Sequence, residues 1–163
     1  MSIWVITFLL LIETLAICSG LSLLAICKNW PIDKSTLTVI TCILLGGLGG
    51  CTYCLRAVYI NYCVKRNWSS DWLPWYVIRP FISLILGGVS YLFISSGLLL
   101  LGAKNDPEIS QIGILAVAFI AGLNVDRFLA KIEHIGQSAW GVEPSRQNQK
   151  EAQQKPTEGK HGD

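Results

Sequence analysis

Apolar residues in this chain come in long runs, not in the short periodic patterns of a soluble fold. Residues 3–27 form the first run, interrupted only by Glu13. Residues 35–55 carry no charge, and the apolar character continues past Arg56 towards Cys63. Residues 80–103 and 109–125 are two further uncharged stretches. A helix needs about 20 apolar residues to cross a hydrocarbon core of roughly 30 Å. The pattern predicts four transmembrane helices, over 3–27, 36–63, 76–102 and 108–128, the last near the lower limit of length.

The residues between the runs suit this division. Trp30-Pro31-Ile32-Asp33-Lys34-Ser35 reads as a short turn with Ser35 as N-cap of the second helix. Pro74 and Pro80 bracket the start of the third. Asp106-Pro107-Glu108 supplies an N-cap, a proline at the first helical position and an acid in the first turn. The first run does not read as a signal peptide: no Lys or Arg precedes it, it is too long, and it contains Glu13. Leu15-Ala16-Ile17-Cys18 has Ile17 where a lipoprotein cleavage box needs a small residue, so lipidation is not expected.

From Asn124 to Val142 the pattern changes. Val125, Phe128, Leu129, Ile132, Ile135 and Ala139 recur at spacings of three and four, with Asp126, Arg127, Lys131 and Glu133 between them. That is an amphipathic helix continuing from the fourth span. Residues 143–163 hold eight charges and almost no apolar side chain, the signature of disorder. The expected architecture is an all-α integral membrane four-helix bundle over 1–128, a cytoplasmic or interfacial amphipathic helix over 129–142, and a disordered polar tail over 143–163.

Composition agrees. The chain has 163 residues, 52% apolar or aromatic and 15% charged, the latter well under the roughly 25% of soluble domains. Residues 1–103 hold nine charges and residues 104–163 fifteen. A net charge of +2 gives no reason to expect a nucleic-acid partner. Lys28, Lys34 and Lys104 flank one side of the spans. Arg56, Lys65, Arg66, Arg79, Arg127 and Lys131 flank the other, which predicts both termini in the cytoplasm. Trp4, Tyr59, Tyr62, Trp68, Trp72, Trp75 and Tyr76 gather at the inner boundary and Trp30 marks the outer one, as interfacial aromatics do.

Three features stand out as candidate chemistry. Glu13 lies about 15 Å into the first span at helical rise, where a carboxylate must face protein or water, pair, or be protonated. Arg56 is the candidate counter-charge, and with Asn124 these residues form a candidate intramembrane pathway. Gly46, Gly47 and Gly50 on the second span, Ser83 and Gly87 on the third, and Gly113 and Ala121 on the fourth make small-residue faces. Such faces allow close helix packing, within one bundle or between copies. Trp68, Trp72, Phe128, Ile132 and Ile135 are candidate partner-docking residues.

The six cysteines lie in or at the ends of apolar runs and read as small, soft packing residues. Cys51-x-x-Cys54 has no His or second Cys pair nearby to complete a metal site. No catalytic triad order, paired acids or phosphate-binding glycine loop is present. No enzyme activity, cofactor or metal is expected.

Three stretches resemble one known group of proteins. Gly49-Gly50 followed by Leu55-Arg56-Ala57 is the first. Trp72-Leu73-Pro74-Trp75-Tyr76-Val77-Ile78-Arg79-Pro80-Phe81 is the second. Gly122-Leu123-Asn124-Val125-Asp126-Arg127-Phe128-Leu129, with Lys131-Ile132-Glu133 and Trp140-Gly141, is the third. Over about residues 45–146 the chain resembles small bacterial four-helix inner-membrane proteins without an assigned activity. The resemblance implies a bacterial plasma-membrane location and carries no catalytic or ligand residues. The expected function is a self-associating, non-enzymatic membrane protein with channel activity. The alternative is a membrane-anchored interaction, sensor or immunity subunit of a bacterial conflict or phage-defence system, acting through a cytosolic protein.

Overall fold

The computed structural model describes residues 3–26, 31–66, 72–97 and 107–141. Every regular element among them is helical: α1 (Ile3–Ile26), α2 (Lys34–Tyr59), a π-helical continuation of α2 over Ile60–Val64, α3 (Leu73–Ser95), α4 (Pro107–Leu123) and α5 (Val125–Trp140). The chain separates into two compact units, Met1–Val125 and Asp126–Asp163. Three helices are long and apolar enough to cross a membrane: α1, α2 with its π segment, and α3. Gln111–Leu123 and Val125–Ser138 add a fourth if the pair is one broken span. The chain is therefore all-helical, with three or four helices suited to span a bilayer.

α1 is apolar on all sides, and only Ile6, Leu10 and Ile17 are buried. Its hydroxyls are turned inward onto its own backbone. Thr7, Thr14, Ser19 and Ser22 donate to carbonyls three or four residues back. This leaves few unsatisfied polar groups for lipid to meet. The covered stripe runs Ile6, Leu10, Glu13, Ile17, Gly20 and Leu24, alternating steps of four and three, as in antiparallel coiled packing.

α2 starts at Lys34. Its N-cap is Asp33, whose carboxylate accepts from the Ser35 backbone N–H at 3.1 Å. Ser35 was the expected cap, but it already lies inside the first turn. At the other end the Lys65 N–H bonds the Ile60 carbonyl at 2.9 Å, a five-residue step, and Arg66 takes φ +49. Left-handed backbone of this kind ends helices. α3 begins at Leu73, three residues before the expected start, with Pro74 in its first turn and Pro80 inside it.

α4 differs most from the sequence expectation. It ends at Leu123, not at residue 128. The Asn124 N–H closes the last turn onto the Ile120 carbonyl at 2.9 Å, and α5 starts at Val125. Asn competes with the helix through its own side-chain amide, so a break there is physically reasonable. The expected cap at Asp106, the Trp30 anchor and the tail over 143–163 lie outside the described residues.

α2 is the central element and touches α1, α3 and α4. α1 and α3 both run antiparallel to it. Ile6 and Leu10 cluster with Cys54, Val58 and Tyr76, while Ile17 meets Gly47 and Gly20 meets Leu44. Mid-way along α2 three backbones come together. A Cβ on Gly46 would lie 2.6 Å from the Gly87 Cα, and one on Gly122 would lie 2.6 Å from the Gly46 carbonyl carbon. A Cβ on Gly49 would lie 2.8 Å from the Leu123 nitrogen. Ser83, fully buried, donates to its own helix at Arg79 O (2.9 Å) and across to Gly122 O (3.1 Å). Small residues serve here as they do where lipid supplies no hydrophobic drive for association.

Candidate functional site: a cationic aromatic groove

α4 meets α2 at its own last turn: Gly122 rests on Gly46, and Phe119 and Leu123 rest on Gly49. Those glycines are the middle of α2. α4 has 17 residues, about 25 Å at helical rise, and packs against α2. Below Gly49 the same side of α2 continues at helical spacing as Tyr53, Arg56, Ala57 and Ile60. Here a groove of about 360 Å³ lies between the end of α2 and the start of α3. No α4 residue is among the described residues that line the groove on this side.

The groove has an apolar, aromatic wall and a cationic rim. Tyr53, Ala57 and Ile60 come from α2 and its continuation, and Trp72, Trp75 and Tyr76 from the start of α3. Arg56 and Lys65, both exposed, stand at its edge. Asn61, in the π segment, donates from its amide to the Tyr76 hydroxyl at 3.0 Å. An inserted residue in a helical turn re-aims the side chains that follow it, and such turns recur at functional sites.

Arg79 underlies the aromatic wall. It is only 4% exposed and lies within a helix long and apolar enough to span a membrane. Its guanidinium carbon is 4.0 Å from the Tyr53 ring centre and 4.6 Å from that of Trp75. Tyr53 and Trp75 lie 5.8 Å apart at 60°, and Trp75 and Tyr76 meet edge-on at 5.1 Å. Cation–π contact with a desolvated guanidinium is worth ~2 kcal/mol or more.

The residues singled out from sequence fall in different places. Glu13 is half-buried in the α1 stripe facing α2, close enough to Cys51 and Cys54 to act on them electrostatically. Arg56 lies five positions from Cys51, about 140° around the helix, so it points to the groove and is not the counter-charge of Glu13. Asn124 sits at the α4–α5 break.

Gly46, Gly47 and Gly50 meet Ser83, Leu84 and Gly87 within one chain. Ala121 is fully buried and Gly113 half-buried in α4. Trp72 is exposed at the groove, and Phe128, Ile132 and Ile135 are half-buried in α5. Trp68 lies outside the described residues. Cys18, Cys42, Cys51, Cys54 and Cys63 are all free thiols. No metal-binding group of His, Cys, Asp or Glu occurs among the described residues.

The sequence reading treated Arg79 as an interfacial charge and missed its aromatic box. The signal was available in the spacing. Trp72, Trp75, Tyr76 and Arg79 fall at i, i+3, i+4 and i+7, one face of a helix.

No family model, curated protein or solved structure matches the chain. Among the described residues, three or four helices are long and apolar enough to cross a membrane, as a multi-pass helical membrane protein requires.

Proposed function

We propose that this is a non-enzymatic protein of the bacterial plasma membrane, both termini cytoplasmic, acting as a membrane-anchored interaction module with α5 as its contact to a cytosolic partner. One observation supports this reading over a channel. The small-residue faces that would build a pore from copies are spent inside the chain, where Gly46, Gly87 and Gly122 bring three backbones into contact. Within one chain that level is closed by backbone contact. α5 is the most amphipathic helix of the chain and belongs to its own compact unit. Its apolar positions Phe128, Ile132 and Ile135 form a face a partner helix or groove can cover.

The test is a photoreactive residue placed in cells at Ile132, with Arg127 on a different face as control. A discrete adduct at Ile132, weak at Arg127 and lost in Phe128→Asp, supports the module. Equal labelling at both positions removes its basis.

A second reading is favoured by Glu13. Glu13 is only half-buried at the α1 stripe, and its uncovered part offers a carboxyl to a cation pathway completed by a second copy of the chain. Purified protein in proteoliposomes would then pass cations, and Glu13→Gln would change the flux. A single-chain mass in mild detergent with no flux excludes this reading.

A further inference from the structure

The lane that α4 leaves open is the most informative surface of the molecule. Tyr53, Arg56, Ala57 and Ile60, which line it, follow Gly46 and Gly49 at helical spacing on the same side of α2. Its volume of about 360 Å³ falls in the range of small-molecule sites, roughly 300–1,000 Å³. A second cavity of the same volume lies between other parts of α2 and α3, lined by Val39, Ile43, Leu84 and Leu92 among other apolar residues. Any acyl chain satisfies that one. The first differs in kind. Arg56 and Lys65 stand on its rim, Asn61 offers an amide at its edge, and no acid is among its described lining residues.

From this arrangement we infer that the groove is a binding site for one anionic phospholipid. The phosphodiester is held by Arg56 and Lys65, and an acyl chain lies along Tyr53 and Ala57 towards the end of α4. The location fits the chemistry. The groove is at the helix ends, where Arg56 and Lys65 reach headgroup level while Trp72 and Trp75 supply the amphipathic rings that favour that depth. Arg79 is not a ligand in this arrangement. Enclosed behind Tyr53 and Trp75, it holds the aromatic wall. The site is a feature of the α2–α3 end and does not depend on α5 having a partner.

The experiment uses the full chain, delipidated in mild detergent and titrated with dioleoyl phosphatidylglycerol or dioleoyl phosphatidylcholine. Retained lipid is counted by native mass spectrometry. The wild type keeps one phosphatidylglycerol with a preference over phosphatidylcholine on the order of tenfold or more, as two cations near an anionic headgroup should give. Arg56→Gln with Lys65→Gln abolishes the preference without changing the helical circular dichroism. Lys34→Gln, an exposed cation at the other end of α2, keeps it. Soluble glycerol phosphate at the same concentration does not displace the lipid. Equal retention of the two lipids overturns the inference, as does a preference that survives the double substitution. Displacement by glycerol phosphate also overturns it, in favour of a site for soluble anions.

Discussion

Arg79 of α3 lies with its guanidinium 4.0 Å from the centre of the Tyr53 ring of α2. This contact ties the two helices together below the glycine crossing and places a buried charge against a π-face. If the contact is energetic, the two residues must be coupled. Tyr53→Leu and Arg79→Met, each singly and together, form a double-mutant cycle. The expected coupling is about 2 kcal/mol, read from unfolding in detergent, because the guanidinium is desolvated. Arg79→Lys should recover little, since an ammonium cannot stack its plane on two rings. Strict additivity would show that Arg79 is held by other partners.

The glycine crossing gives a ranked prediction. A methyl on Gly122 meets the Gly46 backbone, and one on Gly46 meets the backbones of Ser83 and Gly87. Backbone cannot step aside without separating the helices. A methyl on Gly47 meets chiefly the Leu84 side chain, whose end can rotate. Nothing lies near Gly136 in α5. Gly122→Ala and Gly46→Ala should therefore lose several kcal/mol, beyond the ~1–3 kcal/mol common for overpacking. Gly47→Ala should cost less. Gly136→Ala should gain up to about 1 kcal/mol from helix propensity. Protease resistance and melting temperature in detergent order the four. A milder effect at Gly122 than at Gly47 would contradict the packing.

Ser83 separates space from hydrogen bonding at the same crossing. Its hydroxyl reaches Gly122 O across the helix interface at 3.1 Å. Ser83→Ala keeps the small volume and removes only the bond, so the expected loss is about 0.6 kcal/mol, the average for interhelical bonds in membranes. Ser83→Val adds bulk against Gly50 and should cost more than the alanine variant. Equal losses in the two variants would mean that the bond, not the close approach, dominates at this position.

The order of these effects shows what sequence could and could not supply. Hydropathy set α1 to within a residue, since its only interruption, Glu13, does not break the run. It also marked Gly46, Gly50, Ser83 and Gly87 as a small-residue set, because composition alone makes such faces visible. It left open which face they meet, and the same glycines serve a bundle or an oligomer equally well. The break at Asn124 was hidden because Leu123, Val125 and Phe128 continue the apolar pattern across it. The π segment was hidden for a similar reason: one extra residue per turn leaves hydropathy unchanged. Arg79 was read as a boundary charge because distance from a helix end does not reveal the Tyr53 ring opposite.

Arg66 holds φ +49 without being glycine. That conformation costs an L-residue roughly 1–2 kcal/mol. Arg66→Gly should therefore raise the melting temperature slightly, with part of the gain offset by the greater freedom of glycine in the unfolded chain. Arg66→Val, a β-branched residue in the same backbone state, should lower it. A fall for both variants would show that the Arg66 side chain itself holds the end of the π segment.

The cysteines give a direct test of both packing and orientation. Cys42, Cys51 and Cys54 are buried between helices, Cys18 is exposed on the lipid side of α1, and Cys63 is exposed in the π segment at the groove end. In a Cys27→Ser background a charged, membrane-impermeant maleimide should react with Cys63 alone. Thiols packed among apolar side chains or facing lipid are neither solvated nor reachable by such a reagent. Under the proposed orientation, which puts the Lys- and Arg-rich end in the cytoplasm, labelling should occur in inverted vesicles and not in intact spheroplasts. Modification in spheroplasts would turn the chain over. Modification of Cys51 or Cys54 without detergent would mean that α1 does not cover α2 along the Ile6, Leu10, Glu13 and Ile17 stripe.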